Sequence, residues 1–306
     1  MRLEGGRESN NVEDRRGRGP GGGFRGGMGG GRGRGGMVVG GGLGTIVLVV
    51  LALLFGVDPG MITGGGQVVQ APAPSAAPRG APPGAQPGTP PSEDAAGRFA
   101  RRVLAETEDV WNPIFQSLGR RYQEPVLVLY SGAVQSACGV AQAQVGPFYC
   151  PGDSKVYIDL DFMADLQRQV GATGDFAAAY IIAHEVGHHV QNQLGVLQRV
   201  EALKRQASQA ESNSLQVRVE LQADCLAGLW ARRAHEARQI LERGDIEEGL
   251  NAAAAVGDDR LQRQARGYVV PESFTHGSSA QRARWFRAGL ESGRLEACDT
   301  FAPERL

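Results

Sequence analysis

The chain has 306 residues, with 32 basic against 33 acidic side chains and a formal net charge of −1, a balance that excludes bulk electrostatic attraction to nucleic acid. Of its 45 glycines, 24 fall in the first 66 residues, so one end skews the composition. The roughly 210 residues from Arg98 onward suffice for a single domain with its own core, which excludes wholly disordered, collagen-like and multi-span membrane chains.

Residues 1–37 are rich in arginine and glycine. Eight arginines against four acids give the first 36 residues a charge of +4, leaving −5 for the remainder. The composition predicts a disordered tail. Its RGG-like text also fits an RNA-binding segment, but Phe24 is the only aromatic residue there to stack on bases, whereas arginines near a bilayer gain ~1 kcal/mol each from anionic lipid. Residues 38–57 (VVGGGLGTIVLVVLALLFGV) carry no charge and are long enough to span a ~30 Å hydrocarbon layer as one helix. With arginines before and Asp58 after, the expectation is a cytoplasmic N-terminus and a domain outside the cytoplasm, tethered to the cell membrane. A cleaved signal peptide is the rival reading, disfavoured by the long leader. Residues 58–97, dominated by Pro, Ala and Gly, read as an extended linker.

Residues 98–306 form the predicted domain. A helix over 98–118 is interrupted at Pro113; strands follow at 126–130 and 155–160; helices are expected at 175–194, 214–241, 245–264 and 278–292. The class is α+β, mostly helical with a small sheet.

The chemistry lies at 184–188. His184-Glu185-Val186-Gly187-His188 is an HExxH, and on a helix the two histidines fall one turn apart on one face, able to aim both imidazoles at a single zinc ion. Glu185 is then placed to take a proton from water activated by the metal. The small apolar flanks indicate a buried helix, where such polar residues need a ligand to satisfy them. His189 is rotated ~100° from His188 and reads as a residue that supports the ligands from behind or packs the helix, not as a ligand. A third ligand is required, and Glu220 is the candidate. It shares a helix face with Asp224, which can accept the free N–H of a ligand histidine and fix its tautomer. The acids could instead meet arginines such as Arg218 or Arg232. Four cysteines suit an exported domain; of three pairings, Cys138 with Cys150 and Cys225 with Cys298 is preferred, with a buried free thiol at Cys225 as the alternative.

The chain resembles a bacterial family of neutral zinc metallopeptidases, single-pass membrane proteins of a gluzincin-like kind. The resemblance covers about residues 98–303 and is carried by VQSACG (134–139), GPFYCPGDSKVYIDL (146–160), AHEVGHHVQN (183–192), ELQADCLAG (220–228) and FTHGSSAQRARWF (274–286). It implies a zincin-like fold and a zinc site. The spacing of Glu220 and Asp224 also resembles the third-ligand helix of thermolysin, although the 31 residues between His188 and Glu220 exceed that enzyme's loop. His276, before a serine-capped helix start, is similar to a downstream histidine of membrane-associated gluzincins that donates to the oxyanion; a helix-entry or surface role is the plain alternative. The expected function is zinc-dependent cleavage of protein or peptide substrates, and the alternative is a catalytically silent envelope scaffold retaining a structural zinc.

Overall fold

The structure, a computed structural model, describes residues 1–17, 94–141, 146–161, 163 and 174–302. The expected transmembrane segment at 38–57, the tail from residue 18 and most of the linker lie outside the described residues. Among the described residues, no helix is long and apolar enough to cross a membrane.

Two strands in the predicted places, β2 (Val126–Tyr130) and β6 (Lys155–Asp159), are parallel and central, and β5 (Phe148–Cys150) borders β6 antiparallel. On the far side of β2 lies β1 (Val12–Asp14), giving a four-stranded sheet of order β1-β2-β6-β5. A separate hairpin, β3 (Val134–Ser136) with β4 (Gly139–Ala141), stands in the crossover. The helices are α1 (Ala95–Ser117), α2 (Asp175–Gln193), α3 (Val196–Lys204), α4 (Gln209–Arg238), α5 (Asp245–Ala255), α6 (Asp258–Arg266) and α7 (Ser279–Ser292). The mostly helical α+β reading holds.

Residues 1–17 depart from the disordered tail that composition suggested. The amide of Leu127 donates to the Asn11 carbonyl at 2.8 Å and the amide of Arg15 to the Leu129 carbonyl at 2.8 Å, so this segment completes the hydrogen-bonding edge of β2. Leu3 is buried in the main core, Arg7 pairs with Glu108 at 2.8 Å, and Lys155 pairs with Glu13 at 2.5 Å. Backbone pairing and the apolar contacts of Leu3, Met1 and Val12 with the core outweigh the tail's average composition.

Two helix boundaries also differ. Pro113 does not interrupt α1, because it lies on the exposed face with Asp109, where water can serve a carbonyl that lost its partner. The predicted helix over 245–264 breaks at Gly257, where a Cβ would sit 2.3 Å from the Ser279 backbone nitrogen. That glycine lets the start of α7 come against α6.

Close helix crossings build the rest. A Cβ on Gly228 of α4 would meet the Phe286 carbonyl oxygen at 2.0 Å, and one on Gly289 of α7 would meet the Cys225 carbonyl oxygen at 1.9 Å. Backbone therefore lies on backbone between α4 and α7. Both predicted disulfides are present: Cys225–Cys298 ties the last turn to α4 beside this crossing, and Cys138–Cys150 ties the β3–β4 hairpin to β5.

His189 joins α2 to the sheet side of the molecule, as the packing reading expected. Its Nε2–H donates to the Gln123 carbonyl at 2.6 Å, and Nδ1 accepts from the Tyr149 hydroxyl at 3.0 Å. Burial, only partly opposed by the Gln123 carbonyl, pushes its pKa from 6.5 down to about 4. The folded state thus binds this proton less readily than the unfolded chain, so the stabilisation is complete above pH ~6.5 and fades as pH falls toward 4. At pH 5 about 2 kcal/mol should be lost through this group, from ~1.4 kcal/mol per pKa unit. Urea unfolding of the wild type and His189→Gln at pH 7 and pH 5 checks this. The stability gap between the two proteins should narrow by about that amount on acidification, and an unchanged gap would exclude the role.

Candidate metal centre

Helix α2 carries His184, Glu185 and His188, and α4 carries Glu220 and Asp224. The two helices approach closely because residue 187 is glycine: a Cβ there would lie 3.1 Å from the Ala223 carbonyl oxygen. That contact falls between the ligand positions of both helices, so it sets the distance across the site.

The side chains of His184, His188 and Glu220 each offer one donor atom within 4.8 Å of the others. His184 Nε2 lies 3.3 Å and His188 Nε2 3.6 Å from Glu220 Oε2. Bonds of ~2.0–2.2 Å to a tetrahedral zinc imply donor separations of about 3.3–3.6 Å. The donor set and its spacing fit zinc with three protein ligands.

Each of the three is held from behind. His184 Nδ1 lies 2.9 Å from Asp224 Oδ1, so the Nδ1–H tautomer leaves Nε2 for the cluster. His188 Nδ1 lies 2.9 Å from Gln191 Oε1, and the Gln191 amide in turn donates to the Val219 carbonyl at 2.8 Å. Glu220 Oε1 accepts from Gln216 Nε2 at 2.9 Å, leaving Oε2 facing the histidines. Lys204 on α3 donates to Gln216 Oε1; an ammonium cannot accept, so it fixes which end of that amide meets Glu220.

Asp224 is fully buried and takes its countercharge from Arg282 of α7, through Nε at 2.9 Å to Oδ2 and Nη2 at 2.8 Å to Oδ1. The Tyr180 hydroxyl also donates to Oδ1 at 2.5 Å. The arginine that meets this acid is therefore neither Arg218, which donates to the Thr300 carbonyl, nor Arg232, which pairs with Glu236. Burial raises the Asp224 pKa, but Arg282 and His184 outweigh it and hold the carboxylate ionised. Burial disfavours a charged His184, yet its bond to Asp224 lifts the pKa to about 9, while Arg282 acts in the opposite direction. Glu220 is likewise held well below the ordinary carboxylate range, with His188 and His184 overcoming burial.

Glu185 is buried at 8% exposure beside the cluster, and among the described residues no hydrogen bond or ion pair holds its carboxylate. His276 comes to the same region. Its loop rests on α4 at Gly277, where a Cβ would lie 3.2 Å from Leu221 and 3.3 Å from Val217; burial lowers the His276 pKa, but its bond to Asp258, and after it the charge of nearby Glu220, raise it on balance. Asp258 pins this loop by accepting from the amides of Thr275, His276 and Gly277 at 2.6–3.0 Å. Its other oxygen lies 3.4 Å from His276 Nδ1.

Sequence reading assigned no role to Arg282, Tyr180, Gln191, Gln216 or Asp258. Gln191, Tyr180 and Gln216 had a local signal, lying three or four residues from His188, His184 and Glu220 on the same helices, whereas Arg282 and Asp258 had none.

Residues 1–301 match the family described as "Putative neutral zinc metallopeptidase", and the chain belongs to that family. It is 47% identical over 302 residues to the "Uncharacterized protein YpfJ" of Escherichia coli, covering 98% of this chain and 99% of that one. It is 43% identical over 265 residues to the "Uncharacterized protein Rv2575" of Mycobacterium tuberculosis, covering 82% and 85%. No solved structure matches the chain.

The two acids of α4 should separate on substitution. Glu220→Ala is expected to abolish stoichiometric zinc in metal analysis of the purified protein. Asp224→Asn, which leaves Glu220 in place but weakens the support of His184 and leaves the buried Arg282 unmatched, should weaken zinc ~10- to 100-fold in a chelator competition and lower the melting temperature. Zinc retained by Glu220→Ala and absent from Asp224→Asn would reassign the third ligand.

Proposed function

From membership of the zinc metallopeptidase family, we propose that the protein is a zinc-dependent endopeptidase. His184, His188 and Glu220 hold the metal, Glu185 acts as general base, and a peptide or protein is the substrate. The observation that carries the catalytic reading is Glu185: a buried carboxylate with no hydrogen-bond or ion-pair partner among the described residues, adjacent in sequence to a ligand. A purely structural zinc has no use for such a group.

His184, His188 and Glu220 would hold zinc, which would supply Lewis acidity to lower the pKa of a water toward ~7 and to polarise a carbonyl. Glu185 accepts the proton of the attacking water, then returns it to the amide nitrogen as the C–N bond breaks. Asp224 keeps His184 in the tautomer that presents Nε2, and Gln191 does the same for His188. His276, braced by Asp258, is the donor proposed for the oxyanion of the tetrahedral intermediate. The two disulfides support an oxidising setting outside the cytoplasm, and the apolar stretch 38–57 supports attachment to a membrane.

Glu185→Gln keeps size and hydrogen bonding but removes the base. Zinc content should persist while turnover of a denatured protein falls at least ~100-fold, with cleavage at internal bonds mapped by mass spectrometry of the wild-type products. Undiminished turnover in this variant would place the base elsewhere. For His276→Ala, loss of one oxyanion donor should cost ~10²–10³ in kcat with little change in KM, zinc content or melting temperature. A lowered melting temperature with kcat per folded molecule intact would instead assign His276 to loop packing.

A further inference from the structure

Residues 1–17 precede the apolar stretch 38–57, and the domain follows it, yet the two are parts of one folded unit. The register of β1 on β2 runs Val12 to Leu127, Glu13 to Val128 and Asp14 to Leu129. Side chains repeat the connection at every level. Ser9 and Asn11 donate to the buried Glu108 of α1, Arg102 of α1 pairs with Glu8 at 3.5 Å, and Leu3 enters the core.

The points where the chain leaves and re-enters the described structure also meet. Arg16 pairs with Asp94, the N-cap of α1, and a Cβ on Gly97 would lie 3.1 Å from the Arg16 guanidinium. Arg16 and Asp94, near the two ends of the described segments, therefore lie together. The family match begins at residue 1, so this segment belongs to the unit that the family shares.

A β-ladder cannot form between chains separated by ~30 Å of hydrocarbon, which offers the intervening backbone no partners. A single passage of residues 38–57 through a bilayer would put residues 1–17 and the domain on opposite faces. We infer that residues 1–17 and 94–302 lie on the same side of the membrane, with β1 seated on β2 in the working protein. This excludes the topology that the flanking charges suggested, in which a single crossing separates the two. Exchange of the N-terminal segment with a second copy of the chain leaves this unchanged, because equivalent copies share one topology. The inference is independent of the peptidase reading.

The test uses the full chain in membranes of its own host. All four native cysteines are in disulfides, so new single cysteines report alone. Glu4→Cys and Asn10→Cys probe exposed positions of the N-terminal segment, and Gln206→Cys an exposed position of the domain. Each is treated with a membrane-impermeant maleimide before and after permeabilisation. The three should label to the same extent in intact cells, or all only after permeabilisation, and that outcome also reads which side they share. Labelling of Gln206→Cys in intact cells, with Glu4→Cys and Asn10→Cys reached only after permeabilisation, would overturn the inference, as would the reverse.

Discussion

A carboxylate with no solvent exposure survives in a protein interior only where other charges and donors replace its water, and Asp224 is such a group. Its replacements come from two neighbouring helices: the His184 imidazole and the Tyr180 hydroxyl on α2, and the Arg282 guanidinium on α7. The pair with Arg282 offsets the charge of Asp224 and opposes the pull that lifts His184 to a pKa of about 9, so without that arginine the acid would hold the His184 proton, the competitor of any metal, still more tightly. Arg282 thus acts on the metal centre through Asp224, and removing it would leave a buried charge unmatched, at a cost of roughly 3–5 kcal/mol.

This ion pair depends in turn on how closely the helices lie. Arg282 reaches Asp224 because α7 crosses α4 at Gly228 and Gly289, positions where a methyl group would overlap backbone. Glu220 reaches the histidines because Gly187 admits Ala223 in the same manner. Three glycines in helices, each unfavourable for helix formation by roughly 1 kcal/mol relative to Ala, are the local cost of a site assembled from packed helices. The Cys225–Cys298 bond holds the end of the chain against α4 one residue beyond Asp224, adding a covalent constraint at the same level.

What could be read from the sequence follows from how local each feature is. The HExxH and the Glu220, Asp224 pair are patterns within one helix, where spacing alone puts residues on one face. Arg282 and Asp258 act across elements far apart in sequence, and nothing near them in the chain distinguishes an arginine that neutralises a buried acid from one on a solvated face. The split of 245–264 into α5 and α6 hid behind a continuous helical pattern, because the reason for the break is the arrival of Ser279. The strand at Val12–Asp14 was lost for another reason. Three residues within an arginine- and glycine-rich window do not move its average, and main-chain hydrogen bonds leave no mark on composition.

The same segment changes the meaning of its charges. Juxtamembrane arginines favour an anionic leaflet only while they are free to approach it. Arg7 is held by Glu108 and Asp109, Arg15 by Glu13, and Arg16 by Asp14 and Asp94. These three guanidinium groups are matched within the fold, so the electrostatic pull of residues 1–37 on lipid falls to Arg18, Arg25, Arg32 and Arg34, together with Arg2, which pairs with Glu242 at an exposed site. The count of basic residues before residue 38 therefore overstates the charge available to orient the chain in a membrane. The rule relating flanking charge to topology treats the flank as free chain, whereas residues 12–14 of this flank pair with 127–129 as a strand of the following domain.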